Sequence, residues 1–483
     1  MFTNILTRYN KENHYDKISF ITKGKKMKVT KSIFRENDIR GVYPEELNEV
    51  SIRQIAFAIA KKCKKENVDT VAVGRDGRLS GPSLLNAFCL GLIDSGINVN
   101  NIGLVTSPML YFAAKKEKSK SGIIITGSHN PKNYNGIKMV VNDNSVSGLE
   151  ILSLYESMES EEEIIKGKLN FSDIKDQYIS EVVENIELPN ASKLKVVLDC
   201  GNGAAGCVAP ELFKKLGCEV YELFSEVDGN FPNHHPDPGK LENLSDLIKE
   251  VAKHSADVGL AFDGDGDRVG MVTNDGESVF PDKLMMLFSK DILSREKGKI
   301  VFDVKCSDHL DKIIVENGGE PIMSPTGHFH IKKAIKRTDA LLGGEMSGHI
   351  FFNDKWYGFD DGHYAAARIA EIINNSNQSI SQLMDMLPKS FSTPELNISV
   401  TDDTKFKIIE DFIDQCNLDG KKIMIDGLRV NFENGWGLIR ASNTSPKLVL
   451  RFEGNSLNEM KSIKNLFMSE LSRICPDIVI NLD

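Results

Sequence analysis

Short apolar runs rich in β-branched residues recur along this chain, each closing in a polar loop and followed by a stretch with helical spacing. TVAVGRDGR (70–78), KVVLDCGNG (195–203) and KIVFDVKCS (299–307) open three such passages. Each is followed by a helical stretch, then a second Gly-marked strand (SGINVNNIG, LGCEVYELF, NGGEPIMSP), another helical stretch and a third strand. The third strands run into TGSHNP after GIIIT, DGDGDR after VGLAF and GEMSGH after DALLG. Alternating strands and helices at this spacing predict three tandem α/β units with mainly parallel sheets, their ligand loops beyond the strands' carboxyl ends and facing one cleft. After Ile380 the rhythm changes: SQLMDMLPKSFSTPELN (381–397) carries two prolines and reads as a linker, and the remainder of the chain reads as a small α+β domain. The boundaries expected are 28–172, 173–275, 276–388 and 389–483, with the acidic stretch Glu156 to Lys168 joining the first two units. Residues 1–27 are polar and lysine-rich, without an apolar period, and read as an extension; nothing in them resembles a secretory signal.

Composition narrows the classes. With 483 residues, 41% hydrophobic and 27% charged, the chain is ordinary globular protein with room for several cores. A formal net charge of -10 argues against general affinity for nucleic acid or anionic membrane, so an anion site must be built locally. The eight cysteines include no CxxC pair, which suggests neither zinc nor a disulfide framework and makes a reducing cytoplasm the expected compartment. No apolar run reaches the roughly 18 residues needed to span a bilayer.

The loops carry the candidate chemistry. In IIITGSHNPKNYNG (123–136), Ser128 follows a buried strand and sits on a turn, where a hydroxyl is expected to be exposed to a ligand yet fixed by its scaffold. DGDGDR sets Asp263, Asp265 and Asp267 at alternate positions with glycines between, so one tight loop can turn three carboxylates inward. Such hard oxygen ligands suit Mg²⁺. An EF-hand is excluded, because its sixth position would be Arg268 instead of glycine and its twelfth Asn274 instead of glutamate. Arg440 with Ser442, Asn443 and Thr444 in RASNT offers a guanidinium fork, hydroxyls and an amide, a small phosphate cradle.

TGSHNP with Asn135, Gly136 and Lys138, DGDGDRVG, GEMSGH and RASNT occur in order, together with FRENDIRGV (34–42), GRDGRLSGP (74–82) and DGNFPNHHPDP (228–238). Over about Ile33 to Gly454 the chain resembles the α-D-phosphohexomutases, most closely the bacterial phosphomannomutase/phosphoglucomutase branch. The resemblance implies four domains around a central cleft and a phosphohexomutase converting mannose and glucose 1-phosphates to 6-phosphates. It implies that Ser128 carries the phosphoryl group and meets Mg²⁺ through it, with Asp263, Asp265 and Asp267. It implies a hexose 1,6-bisphosphate that serves as intermediate and activator and turns over in the cleft. Arg268 is then expected to stabilise the transferring group. Arg40, Lys138, His328 and His349 become candidates for proton transfer: His349 and Lys138 rank first, Lys138 needs a depressed pKa, and Arg40 suits an electrostatic clamp. His129 either orients Ser128 or satisfies its turn.

By the same resemblance, Lys305 is a cleft cation, Thr326, Gly327 and His328 of PTGH line the sugar site, Glu345 and Ser347 grip the 3- and 4-hydroxyls, and Arg440, Ser442, Asn443 and Thr444 hold the remaining phosphate. The partners implied are small sugar phosphates, with the oligomeric state open. Asn37 stands where the family often has tyrosine. His234 and His235 read as a structural loop, since no adjacent acidic cluster completes a metal site. Three alternatives stay open: a phosphoglucosamine mutase of the same superfamily, a metal-dependent sugar phosphatase, although Asp267 stands where a D-x-D-x-T loop has threonine, and a non-catalytic sugar-phosphate sensor.

Overall fold

The computed structural model describes residues 29–158, 166–189, 193–443 and 445–480; the extension, part of the acidic stretch and Thr444 lie outside them. Three sheets repeat one order. In the first, Asn98–Leu104, Thr70–Arg75, Gly122–Ile125 and Tyr134–Val141 lie side by side; in the second, Glu219–Leu223, Lys195–Asp199, Val258–Phe262 and Val269–Thr273; in the third, Glu320–Ser324, Lys299–Asp303, Leu342–Gly344 and Ile350–Phe352. In each set the first three strands are parallel and the fourth antiparallel. The repeat predicts the parallel strands and omits the fourth, which follows its loop too closely to show a separate period. The consequence is specific: TGSHNP, DGDGDR and GEMSGH each make the reversal between the third strand and its antiparallel partner, at the sheet's carboxyl edge.

The first sheet gains edge strands. Ile39–Val42 pairs antiparallel with Tyr134–Val141, setting Arg40 opposite Gly136, and Leu169–Phe171 pairs with Asn98–Leu104. The last sheet is antiparallel, ordered Phe391–Ser392, Lys447–Gly454, Gly435–Ala441, Leu428–Phe432, Lys421–Ile423, with Leu396–Ser399 also on Lys447–Gly454. The stretch read as a linker is therefore ordered. Its first part is the helix Ile380–Asp385, capped by Ser379, and its two short strands join the last sheet. The prolines misled because Pro388 and Pro394 fall outside those elements, where no ladder hydrogen bond is lost.

One helix wedges the units together. Ser107–Lys116 (SPMLYFAAKK) begins after Thr106, whose hydroxyl accepts from the Met109 N–H, and is buried from Ser107 through Ala114. A helix apolar on every side must be enclosed on every side. Its Phe112 meets Tyr178 of the second unit at 5.5 Å between ring centroids and Trp356 of the third at 6.0 Å. These residues belong to one apolar cluster that runs through all three α/β units, whereas the C-terminal unit has its own, around Phe412, Phe452 and Phe467.

Candidate active site

Ile123, Ile124 and Ile125 are fully buried, and the chain leaves the sheet at Thr126. The Thr126 hydroxyl accepts the Ser128 N–H at 2.9 Å, and Ser128 adopts φ +48°, a left-handed conformation that costs a non-glycine residue about 1–3 kcal/mol and persists only when its surroundings impose it. The Ser128 Oγ lies 3.2 Å from His129 Nδ1 and 3.2 Å from Asp263 Oδ2. Contrary to the expected exposure, Ser128 is only 1% exposed. The acidic loop covers it, and a Cβ at Gly264 would stand 2.4 Å from the Ser128 carbonyl oxygen, so glycine permits that approach.

Asp263, Asp265 and Asp267 follow the buried strand Val258–Phe262 and are themselves fully buried, with ligand oxygens within 4.8 Å of one another. Burial together with mutual repulsion holds the Asp263 carboxyl well above its usual range. Asp265 is driven down: burial alone would raise it, but Lys138, with Ser107 and Arg40, outweighs burial. Lys138, on Tyr134–Val141, sets Nζ 2.7 Å from Asp265 Oδ2 and 2.6 Å from Asp267 Oδ2, and Ser107 Oγ donates to Asp265 Oδ2 at 2.6 Å. Asp265 Oδ1 and Asp267 Oδ1 are buried without a hydrogen-bond partner. Three converging carboxylates with such oxygens form a donor set that fits a hard divalent cation. The same geometry runs against the depressed pKa that proton transfer by Lys138 would need. Burial lowers its pKa, yet the two carboxylates raise it further, and the ammonium stays charged.

His349, in the third unit's loop, is brought beside the acidic loop by a backbone bridge between Arg268 and His349. The Arg268 Nε–H donates to His349 Nε2 at 3.0 Å, and His349 Nδ1 lies 3.1 Å from Asp360 Oδ2 and 3.5 Å from Asp267 Oδ1. A nitrogen accepting from guanidinium presents a lone pair, so Nε2 is the ring atom able to take a proton, while His349 Nδ1 and both Asp360 carboxylate oxygens are buried without a hydrogen-bond partner. His328 Nδ1 is 3.8 Å from Asp360 Oδ2, and burial, reinforced by Lys332, holds the His328 ring well below its ordinary pKa. His129 is likewise held well below, first by burial and then by Arg268 and Arg40. Arg40 donates through Nε to Asp38 at 2.7 Å and through Nη1 to Asn130 of the Ser128 loop. Asn37 Oδ1 is buried and unpartnered.

Farther along the cleft, Glu345 is 2% exposed and accepts the Gly327 N–H at 2.6 Å, which ties GEMSGH to PTGH; Ser347 is half-buried. Lys305 is buried and paired with Glu395 at 2.9 Å. Arg440 Nε donates to Asp426 Oδ2 at 2.8 Å, and the same oxygen accepts the Thr326 N–H at 3.0 Å. Ser442 Oγ lies 2.8 Å from Ser445 Oγ, beside half-buried Asn443. His234 pairs with Asp199 at 3.0 Å and His235 bonds the His129 carbonyl, a structural use for both. Asp360, Ser107, Asp426 and Glu395 went unread in the sequence. Each is a lone polar residue whose partner lies in another unit or loop, and no local spacing reports that.

Matches to known proteins cover the whole arrangement. Models of the phosphoglucomutase/phosphomannomutase alpha/beta/alpha domains I, II and III match residues 31–164, 176–276 and 280–391, and the model of the C-terminal domain of that family matches 395–469. A phosphomannomutase/phosphoglucomutase of Pseudomonas syringae pv. tomato is 51% identical, covering 92% of this chain and 96% of its own. A phosphoglucomutase of Neisseria gonorrhoeae is 48% identical over 91% of this chain and 96% of its own. The crystal structure of a phosphoglucomutase/phosphomannomutase family protein from Burkholderia thailandensis superposes with a TM-score of 0.89 at 43% identity, covering 94% of this chain and 99% of that one.

Proposed function

Because the chain belongs to the phosphoglucomutase/phosphomannomutase family, we propose that it interconverts the 1- and 6-phosphates of glucose and mannose, with Ser128 as the phosphoryl carrier and a hexose 1,6-bisphosphate as intermediate. The observation that carries this reading is the meeting of the Ser128 Oγ with Asp263 at 3.2 Å inside a buried cluster that also holds Lys138, Arg268 and His349. Mg²⁺, held by Asp263, Asp265, Asp267 and a phosphoryl oxygen on Ser128, would supply positive charge to the transferring group.

The chain's own residues do the rest. The sugar's free hydroxyl attacks the phosphorus on Ser128 and hands its proton to His349 Nε2, once the Arg268 guanidinium turns from that nitrogen to the phosphoryl oxygens. The bond between phosphorus and the Ser128 oxygen breaks, the proton passes from His349 to that oxygen to leave a serine hydroxyl, and Lys138 and Arg268 offset the charge that develops. After the bisphosphate reverses, the Ser128 hydroxyl gives its proton to His349 as its oxygen takes the other phosphoryl group, and His349 passes that proton to the sugar oxygen that leaves. Asp360, with Oδ2 3.1 Å from His349 Nδ1, faces the other side of the ring throughout.

Reversal roughly exchanges the 3- and 4-hydroxyls, which suits recognition by Glu345 and Ser347, while Arg440, Ser442 and Asn443 hold the second phosphate. The 2-position is then weakly read. A coupled assay on purified protein should give kcat/KM values for glucose and mannose 1-phosphates within about 30-fold, roughly 2 kcal/mol. Galactose 1-phosphate, inverted at the 4-hydroxyl, should be worse than glucose 1-phosphate by about 100-fold. Galactose 1-phosphate equal to both, or glucosamine 1-phosphate far above both, would contradict this reading. The eight cysteines are free, in keeping with a cytoplasmic enzyme; among the described residues no helix is long and apolar enough to cross a membrane.

A further inference from the structure

GRDGRLSGP and DGNFPNHHPDP, two of the motifs that mark this chain, touch none of the reacting groups in the mechanism above. The structure brings them together on the two sides of the Ser128 loop. Arg78, 1% exposed, reaches under that loop with every donor of its guanidinium engaged. Nη2 donates to the carbonyls of Ser128 and Asn130, both at 2.7 Å; Nη1 donates to those of Pro131 and Tyr134 at 2.6 and 2.8 Å; Nε donates to Asp76 Oδ2 at 3.2 Å. Guanidinium has five N–H groups in a rigid plane, and all five are used here.

Asp76 completes the frame. Its Oδ2 also accepts the Thr126 hydroxyl at 2.8 Å and the Gly127 N–H at 3.1 Å, so the residues entering the loop are fixed to the same carboxylate as the arginine beneath it. The passage of Arg78 explains the glycine of TGSHNP, since a Cβ at Gly127 would stand 2.4 Å from the guanidinium carbon. The second unit closes the other side. His235 donates through Nε2 to the His129 carbonyl, and the Phe231 ring lies 5.5 Å from the Arg78 guanidinium. Gly229 sits so close that a Cβ there would be 2.6 Å from the Leu79 nitrogen.

We infer that Arg78, backed by His235, is a positioning residue for phosphoryl transfer: it holds the Ser128 loop in the left-handed conformation that aims the hydroxyl at the acidic cluster. A side chain that only filled space would have no need of four carbonyls from one loop. A cation serving only by its charge would not need the fork. The inference rests on Ser128 being the phosphoryl carrier, and the test separates the two.

Wild type, Arg78→Lys and Arg78→Ala, each without phosphate, are mixed with glucose 1,6-bisphosphate, and the gain of one phosphoryl mass is followed by intact-protein mass spectrometry beside steady-state kinetics and thermal melting. Arg78→Lys keeps the charge and has three donors on one atom. It should lose roughly 100-fold in kcat and in the rate of phosphorylation, the scale of an ångström-sized misplacement, with KM changed less than about threefold. Added guanidinium ion should restore part of the rate of Arg78→Ala, and methylammonium of the same charge should not. His235→Leu, which removes only the tie from the second unit, should lose kcat by roughly 10-fold at unchanged KM, and it decides the matter if the Arg78 variants do not fold.

The inference is overturned if folded Arg78→Lys turns over within about threefold of wild type. It is also overturned if activity, KM and melting temperature fall together with no response to guanidinium, or if His235→Leu is indistinguishable from wild type. A wild-type protein that never gains the phosphoryl mass on Ser128 overturns the carrier reading instead.

Discussion

Where the first three units meet, Phe112 lies against Tyr178 and Trp356, inside an apolar cluster continuous through three sheets. The meeting of the third and fourth units is made mostly of charge. Arg451 pairs with Asp282 at 2.9 Å, Lys305 with Glu395 at 2.9 Å, Ser307 with Glu453 at 2.7 Å, and Arg429 with Asp308 and the carbonyls of Val304 and Cys306. Among the described residues, Val304, Trp436 and Leu438 form a small apolar cluster at that joint, with Met323 packed against it. Apolar burial is non-directional and cooperative, and it fixes its neighbours as one body. Ion pairs are directional, their attraction is offset by desolvation, and they can be exchanged singly. The seam joins the three units that contribute the reacting groups of the proposed mechanism, which need fixed distances. The joint carries Arg440, which on the proposed mechanism grips a phosphate and then releases it while the intermediate reverses.

The largest effect should come at the rigid end. Ser128→Ala should lose turnover by roughly 10⁴-fold or more, with an unchanged melting temperature and without hexose 1,6-bisphosphate restoring it. Chelation of the divalent cation should cost about 10³-fold, several kcal/mol of charge stabilisation, and added Mg²⁺ should reverse it. Phe112→Ala should lower the unfolding free energy by about 3–5 kcal/mol in urea, and a loss under about 1 kcal/mol would mean that the seam does not join the units.

At the jointed end the effects should be smaller and should appear in binding. Arg440→Ala should raise KM by about 30-fold, near 2 kcal/mol for a charged hydrogen bond, with kcat changed less than about threefold. A kcat loss equal to the change in KM would place Arg440 in the chemistry and undo the contrast. Glu395→Gln removes one partly exposed partner of Lys305 and should shift stability by less than about 1 kcal/mol; a larger shift would show that the joint depends on single pairs.

Much of this was legible in the chain because it is local. Three third strands of near-continuous apolar residues and three loops of turn formers expose the tandem α/β units and the position of Ser128 and the three aspartates. The antiparallel fourth strands were not legible, because a strand such as Ile350–Phe352 is too short to show a period. The burial of Ser128 and the raised pKa of Lys138 arise because the acidic loop of the second unit folds onto strands of the first, and no spacing within either unit reports it. The same holds for Asp360, which meets His349 only because Asp360 pairs with Phe351 beside it. Arg78 shows the reverse case: its motif was visible, while its work, five hydrogen bonds beneath a loop some fifty residues on, needed coordinates.

The central claim, that Ser128 stores the phosphoryl group, is tested most directly by mapping the phosphate. The phosphorylated protein is mixed with a stoichiometric amount of glucose 1-phosphate labelled in its phosphoryl oxygens, quenched within one turnover and digested. The account predicts that Ser128 loses its unlabelled phosphoryl group and regains a labelled one while unlabelled phosphate appears on the sugar's C6. A labelled glucose 6-phosphate formed with Ser128 never phosphorylated, or with the label on another residue, would contradict it.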